Sequence, residues 1–128
     1  MPRKVTLKGL QKKADKLFST IGKEKAKCEV CESLPASERF NYSLLNPHHI
    51  VGRKNKTLRW NLRNRVWLCP SHHTLGRESA HNDPVWFLRW LMKNRSDDCE
   101  FLGKARNTIS HYKIKDMQAI IKRLEAMK

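Results

Sequence analysis

The chain has 128 residues, with 27 Lys and Arg against 12 Asp and Glu, a formal net charge of +15, 39% apolar residues, four Cys and six His. The length suits a single domain. A mean hydropathy of −0.72 and the lack of any run of about 18 apolar residues exclude a membrane-spanning helix. A pI of about 10.1 favours an acidic polymer as partner, and nucleic acid is the commonest one.

The first 27 residues predict a basic amphipathic helix. They contain nine basic and two acidic residues, and Gly22 lies near the expected helix end. The basic face is either a solubilising surface or a phosphate contact, and the sequence leaves both interpretations open. Apolar residues recur at helical spacing and predict one buried stripe: Leu7, Leu10, Ala14, Leu17, Phe18 and Ile21.

Residues 28–73 have a different composition, with Cys pairs, paired His, Pro and Gly. No helical period continues across this stretch, so we expect two short strands and irregular loops, with Arg65–Leu68 as one β-prone run. Such a stretch cannot supply a large core alone, so a bound metal would contribute to its folding.

Two helices are predicted in the C-terminal part. Asp83 as N-cap and Pro84 in the first turn begin a helix whose apolar run, Val85–Met92, should be the main hydrophobic anchor. A last helix runs from about Lys113 to Lys128, with one apolar stripe formed by Ile114, Met117, Ile120, Ile121, Leu124 and Met127. The predicted organisation is a basic N-terminal helix (1–27), a metal-braced core (28–81) and a C-terminal helical part of the same domain (82–128).

The cysteines predict a structural zinc site. The basic N-terminus is followed by no apolar run of roughly 7–15 residues, so we expect no secretory signal, a reducing cytoplasm and metal ligation rather than disulfides. Cys28 and Cys31 form a C-x-x-C, and Cys69 and His72 form a second pair at the same spacing. Three thiolates and one imidazole suit a closed tetrahedral Zn²⁺ site. His73 is a formal alternative for the fourth position.

Paired histidines between the two ligand pairs carry a resemblance. Asn46-Pro47-His48-His49-Ile50-Val51-Gly52-Arg53, then Asn64, then Cys69-Pro70-Ser71-His72-His73 resemble the HNH nuclease motif in its own order. The likeness covers about residues 28–81, and the rest is similar to the embellishments of small phage-type HNH proteins. It implies an α+β fold, with a small zinc-stabilised ββα-metal core and flanking α-helices. The chain departs from the family's usual double C-x-x-C by having His72 where a second Cys is common.

The resemblance implies a role for each of these residues. His48 and His73 would hold one divalent ion, Mg²⁺, Mn²⁺ or another, His49 would activate water as general base, and Asn64 would steady the loop carrying His49. Neutral imidazole is a natural base near pH 7, and two imidazoles leave coordination positions open for water and phosphate. Asn61 competes with Asn64, and either could instead cap its own turn.

Six basic residues without an intervening acidic one lie between the His pair and the second ligand pair, and we expect them to contact phosphates: Arg53, Lys54, Lys56, Arg59, Arg63 and Arg65. Such contacts position a duplex without reading its sequence. Trp60 and Trp67 among them are predicted as packing residues rather than base-stacking platforms.

The expected function is a metal-dependent HNH endonuclease that hydrolyses phosphodiester bonds in double-stranded DNA. A phage origin, suggested by the resemblance, would place it in the bacterial host cytoplasm with packaging or recombination proteins as candidate partners. The alternatives are a non-catalytic zinc module that binds nucleic acid and an RNA nuclease of the same chemistry. His81 is expected in a capping or surface role, because a continuous helix would carry it ~12 Å beyond His73. The alternative is a chain that breaks at Gly76 and brings His81 back to the metal or to phosphate. Cys99 is predicted as a buried free thiol, and His111 has no predicted role.

Overall fold

The computed structural model describes residues 4–40 and 43–128, so residues 1–3 of the predicted N-terminal segment and 41–42 of the predicted core lie outside it. The described chain is mixed α+β, which confirms that class. Its elements are α1 (Leu7–Thr20), α2 (Glu29–Glu32), β1 (Asn46–His49), α3 (Lys56–Arg59), β2 (Arg65–Leu68), α4 (Pro84–Asn94), α5 (Ser96–Ala105) and α6 (Ile114–Glu125).

The first and last helices pack together and form one of two apolar clusters. Helix α1 begins after Thr6, whose hydroxyl accepts a hydrogen bond from the Gly9 N–H, and ends before Gly22, which has φ 77°. The left-handed φ suits glycine because it has no Cβ. The cluster unites the apolar faces of both helices with one tryptophan: Ala14, Leu17, Phe18, Ile21, Trp60, Met117, Ile120, Ile121 and Leu124. Ile114 and Met127, expected on the same stripe, are 41% and 49% exposed.

Strands β1 and β2 form a two-stranded antiparallel sheet that places the histidine pair. His48 pairs with Val66, and His49 pairs with Arg65. Successive side chains of a strand point to opposite faces. His48 therefore faces α4, where it contacts Phe87, and His49 faces α1, where it stacks on Phe18.

The second apolar cluster joins the cysteine pairs to β2 and α4, and here one prediction is wrong and one helix was missed. Helix α4 is not the main anchor, because it buries only Phe87 and Leu91, while Val85, Leu88 and Met92 are 62%, 54% and 60% exposed. Helix α5 was not predicted. It buries a single residue, Leu102, and so has no apolar stripe that the sequence could reveal.

Trp60 and Trp67 are both buried, at 2% and 7% exposure, as the sequence predicts. Trp60 belongs to the α1–α6 cluster. In the described ranges, no helix combines the length and apolar character needed to cross a membrane.

Candidate metal centres and active site

Cys28, Cys31, Cys69 and His72 come together as a buried cluster that could hold a metal ion. The Nδ1 atom of His72 lies 3.5 Å from the Cys28 Sγ and 3.4 Å from the Sγ atoms of both Cys31 and Cys69. The Sγ atoms of Cys31 and Cys69 are 3.9 Å apart, which is not a disulfide. Tetrahedral Zn²⁺, with bonds of about 2.3 Å to sulfur and about 2.0 Å to nitrogen, separates neighbouring ligand atoms by about 3.5–3.8 Å. The donor set therefore fits a structural metal such as zinc.

The thiols in this cluster influence each other's protonation. Burial raises the pKa of Cys28, but the hydrogen bond with His72 and nearby backbone N–H groups outweigh it and lower that pKa to about 6. Burial raises the pKa of Cys31 to about 12, and the charge of Cys28 adds to the rise. Crowded thiolates repel each other, so a bound dication would favour the fully deprotonated cluster.

The first Cys pair is fastened to the sheet by the residue inside it. One carboxylate oxygen of Glu29 accepts the backbone N–H of Trp67 at 2.8 Å, and the other accepts Arg95 Nη1 at 3.4 Å. The same Arg95 nitrogen donates to the Arg65 carbonyl at 2.7 Å. The Cys pair, β2 and the start of α5 therefore form one hydrogen-bonded unit.

A second cluster contains His48, His73 and His81, whose potential ligand atoms all lie within 4.8 Å of one another. The Nε2 atoms of His73 and His81 are 3.2 Å apart. The ring centroid of His48 lies 5.3 Å from that of His73 and 5.2 Å from that of His81. His48 and His73 are half-buried and His81 is exposed, so this cluster is open to solvent on one side.

His81 is exposed, as a surface role requires, but it also lies beside His73, and the reason is the backbone at Gly76. The segment after Cys69 is a single π-helical turn, Ser71–Leu75, rather than the longer helix expected after the second ligand pair. The Gly76 N–H bonds to the Ser71 carbonyl at 2.8 Å, and the chain then runs back so that the His81 N–H reaches the His73 carbonyl at 3.1 Å. A Cβ at Gly76 would lie 2.6 Å from the Ser71 carbonyl oxygen.

Two histidines of this cluster, His48 and His73, are suited to bind a metal as neutral ligands. Burial, followed by the charges of His73 and His81, lowers the pKa of His48 to about 4. Burial and His81 also lower the pKa of His73. At neutral pH these rings keep a lone pair for coordination.

His49 is oriented by a backbone carbonyl. Its Nε2 atom lies 2.9 Å from the Arg59 carbonyl oxygen, and its ring stacks on Phe18 with centroids 4.4 Å apart and planes inclined by 10°. A carbonyl only accepts hydrogen bonds, so Nε2 carries the proton and Nδ1 is the basic nitrogen. Burial lowers the pKa of His49 despite the opposing effect of that carbonyl.

A small cavity of about 190 Å³ lies beside His49 and is also lined by Asp15, Ser19, Pro47 and Arg53. Asp15 accepts hydrogen bonds from Arg59 at 2.7 and 3.0 Å, from Trp60 Nε1 at 2.9 Å and from Arg53 at 2.9 Å. Burial raises the pKa of Asp15, but these donors and the two guanidinium charges outweigh burial and hold that pKa below its ordinary value. Asp15 thus remains an anion that ties α1 to Arg59 at the end of α3.

The two candidate asparagines have different contacts. Asn64 is fully buried. Its Oδ1 accepts the Val51 N–H at 2.7 Å, and its Nδ2 donates to the carbonyls of Val51 at 2.9 Å and Leu58 at 3.1 Å. These bonds close the loop that follows His49. Asn61 instead accepts the Arg63 N–H at 2.9 Å and caps its own turn.

The six predicted phosphate-contacting residues fall into two groups. Arg59 is bound to Asp15, Arg63 to Asp98 at 2.7 Å, and Arg65 to the Phe18 carbonyl at 2.7 Å. The other three are exposed: Arg53, Lys54 and Lys56. Arg53 also pairs with Asp15, although its side chain is 60% exposed. Phosphate contact by all six stays a prediction, and four of them, Arg53 included, already have intramolecular partners.

Sequence reasoning missed the contacts of Asp15 and Phe18 with the site. Cys99, predicted as a buried free thiol, is half-buried on α5. Asp15 is the single acidic residue of α1, a signal that could have marked it as an ion-pair partner. Phe18 follows the apolar period and carries no sign of its contact with His49.

Comparison of the chain with protein-family models, curated proteins and solved structures finds no match.

Proposed function

We propose that the chain is a metal-dependent HNH endonuclease that hydrolyses phosphodiester bonds in double-stranded DNA. The observation that carries the proposal is the pair of neighbouring residues on β1: His48 belongs to an open three-histidine cluster, and His49 presents a basic Nδ1 because its Nε2 is held by the Arg59 carbonyl. Adjacent Cα atoms are about 3.8 Å apart. Their side chains point to opposite faces of the sheet, so in this proposal the substrate phosphate lies across the end of β1, where the cation and the base both reach it.

In this proposal His48, His73 and His81 hold one divalent cation, with His81 added to the two ligands implied by the resemblance. The bound cation would supply Lewis acidity toward a phosphate oxygen. His49 takes a proton from water at Nδ1, while its Nε2–H stays on the Arg59 carbonyl and keeps the ring oriented. Asn64 holds the loop between the strands and so positions His49 indirectly.

The cysteine cluster completes the proposed ββα-metal core. Zn²⁺ held by Cys28, Cys31, Cys69 and His72 would fix the start of the π-helical turn and thereby place His73. That turn would stand where the family has a helix. The core is therefore proposed as a shortened form of the ββα-metal finger.

Cleavage of supercoiled plasmid by zinc-loaded protein across several divalent ions, with a chelator control, tests the function. His49→Ala should lower the rate by about 10²–10⁴-fold, while His111→Ala, which removes an exposed histidine, should not change it. Zinc content and thermal melting of both variants establish that each is folded. Unchanged cleavage by His49→Ala would disprove the assignment of the base.

The same experiment separates the competing functions. A non-catalytic nucleic-acid-binding module would retain DNA but cut it under no ionic condition. A matched RNA duplex cut faster than the DNA duplex would favour an RNA nuclease over the proposed DNA substrate.

A further inference from the structure

The exposed face of α1 carries a row of lysines. Lys8, Lys12 and Lys16 are spaced four residues apart and are all exposed. Residues three and four apart are neighbours on a helix surface, so these side chains form one row along it. Asp15 lies three residues after Lys12, and Ser19 lies three residues after Lys16, so the row runs beside the two α1 residues that line the His49 cavity.

Helix α1 is fixed to the candidate base through two of its residues, Phe18 and Asp15. Phe18 stacks on the His49 ring. Asp15 binds Arg59, whose carbonyl accepts the His49 N–H. The lysine row therefore has a defined position relative to His49.

The charges of this face are not neutralised from within the described chain. Asp15 is the single carboxylate of α1 and is already shared by Arg53 and Arg59. The other α1 ion pair in the described ranges joins Lys13 to Glu125. Lys8, Lys12 and Lys16 take part in none of these ion pairs.

The dimensions of the row match a nucleic-acid strand. Eight residues of α-helix rise about 12 Å, which corresponds to the rise of three to four nucleotides of one strand of B-form DNA. Arg59, Arg63 and Arg65 have intramolecular partners, and Arg53, which lines the cavity, is paired with Asp15. Within the described residues, the lysines of this row are therefore unpaired cations next to the cavity.

We propose that Lys8, Lys12 and Lys16 of α1 form a docking surface for the phosphate backbone of duplex DNA, beside the strand segment that enters the His49 cavity. The choice of partner rests on the proposed nuclease function. The contacts are to phosphates, so they would orient the duplex without selecting a sequence.

Binding of zinc-loaded protein to a fluorescent DNA duplex without added divalent ions, measured by anisotropy across a range of salt concentrations, tests this surface without requiring cleavage. Lys12→Gln/Lys16→Gln should weaken binding roughly tenfold or more at low salt and lower the slope of log K against log salt by about two. Lys12→Arg/Lys16→Arg should restore both values, because it keeps the charges.

Lys115→Gln/Lys122→Gln is the matched control. Both lysines are exposed on α6 and seven residues apart on its face away from the buried Met117, Ile120, Ile121 and Leu124. The control removes the same charge from the other helix of the pair. It should leave the slope nearly unchanged.

An equal loss of binding in the two Gln variants would overturn the proposal, because net charge would then be the cause. Tighter binding of wild-type protein to anionic vesicles or to an RNA duplex than to DNA would overturn DNA as the occupant, if Lys12→Gln/Lys16→Gln weakens that binding. DNA binding that depends on these lysines without cleavage would support the surface while refuting the nuclease. If cleavage and DNA binding were both unchanged in Lys12→Gln/Lys16→Gln, the nuclease function would be supported and the docking surface refuted.

Discussion

The two ligand clusters differ in burial although adjacent residues contribute to both. The cysteine cluster is buried at all four positions, with Cys69 only 1% exposed, whereas the histidine cluster contains two half-buried rings and one exposed ring. His72 enters the first and His73 enters the second. A closed four-ligand site stabilises a fold, while an open three-ligand site leaves room for a substrate. The π-helical turn at Ser71–Leu75 directs these two neighbours into different environments.

Removing a ligand from the buried cluster should have the largest effect. Cys69→Ser should lose the zinc and with it most of the folded population, because structural zinc contributes roughly 10 kcal/mol or more in small zinc domains. Native mass spectrometry and thermal melting measure both. Cys99→Ser is the matched control, since Cys99 lies outside the cluster and is half-buried, and it should keep the zinc and melt near wild type. A well-folded, zinc-free Cys69→Ser protein would contradict a structural role.

The ion preference of the open cluster is the next test. Three imidazoles favour Ni²⁺, Co²⁺ or Zn²⁺ over Mg²⁺, because Mg²⁺ prefers oxygen ligands. Calorimetric titration of protein already carrying its structural zinc should give an affinity for Ni²⁺ at least about tenfold higher than for Mg²⁺. His81→Ala should reduce that affinity without releasing the structural zinc. Equal affinity for Ni²⁺ and Mg²⁺ would contradict a three-imidazole site. An unchanged Ni²⁺ affinity in His81→Ala would show that His81 is not a ligand.

A smaller effect is expected from a change at Gly76, where the backbone turns and brings His81 next to His73. Gly76→Ala places a Cβ 2.6 Å from the Ser71 carbonyl oxygen, so the turn must shift, at a cost of about 1–3 kcal/mol in unfolding free energy. Metal affinity of the histidine cluster should fall, while zinc content stays the same. Gly103→Ala on α5, where a Cβ meets nothing within 4 Å, should be neutral or slightly stabilising. Normal Ni²⁺ affinity in Gly76→Ala would show that this turn does not place His81.

Local patterns predicted much of the fold. The C-x-x-C and C-x-x-H spacings identified residues that the structure brings together. Apolar periods identified α1 and α6, and the Asp83 cap with Pro84 and an apolar run identified α4. The contacts that the sequence missed are long-range. Phe18 meets His49 and Asp15 meets Arg59 across the chain, and no short period records such partners. His81 depended on a close backbone approach at Gly76, which sequence spacing alone allows but does not require.

The pairing of β1 with β2 has an evolutionary consequence for the histidine pair. Only four residues pair on each strand, and β2 ends at Leu68, immediately before Cys69. A shift of one residue would exchange the two faces, turning His49 toward His73 and His48 toward Phe18. A one-residue insertion or deletion within β1 should therefore be selected against even where the surrounding sequence varies, since it would separate both histidines from their present partners.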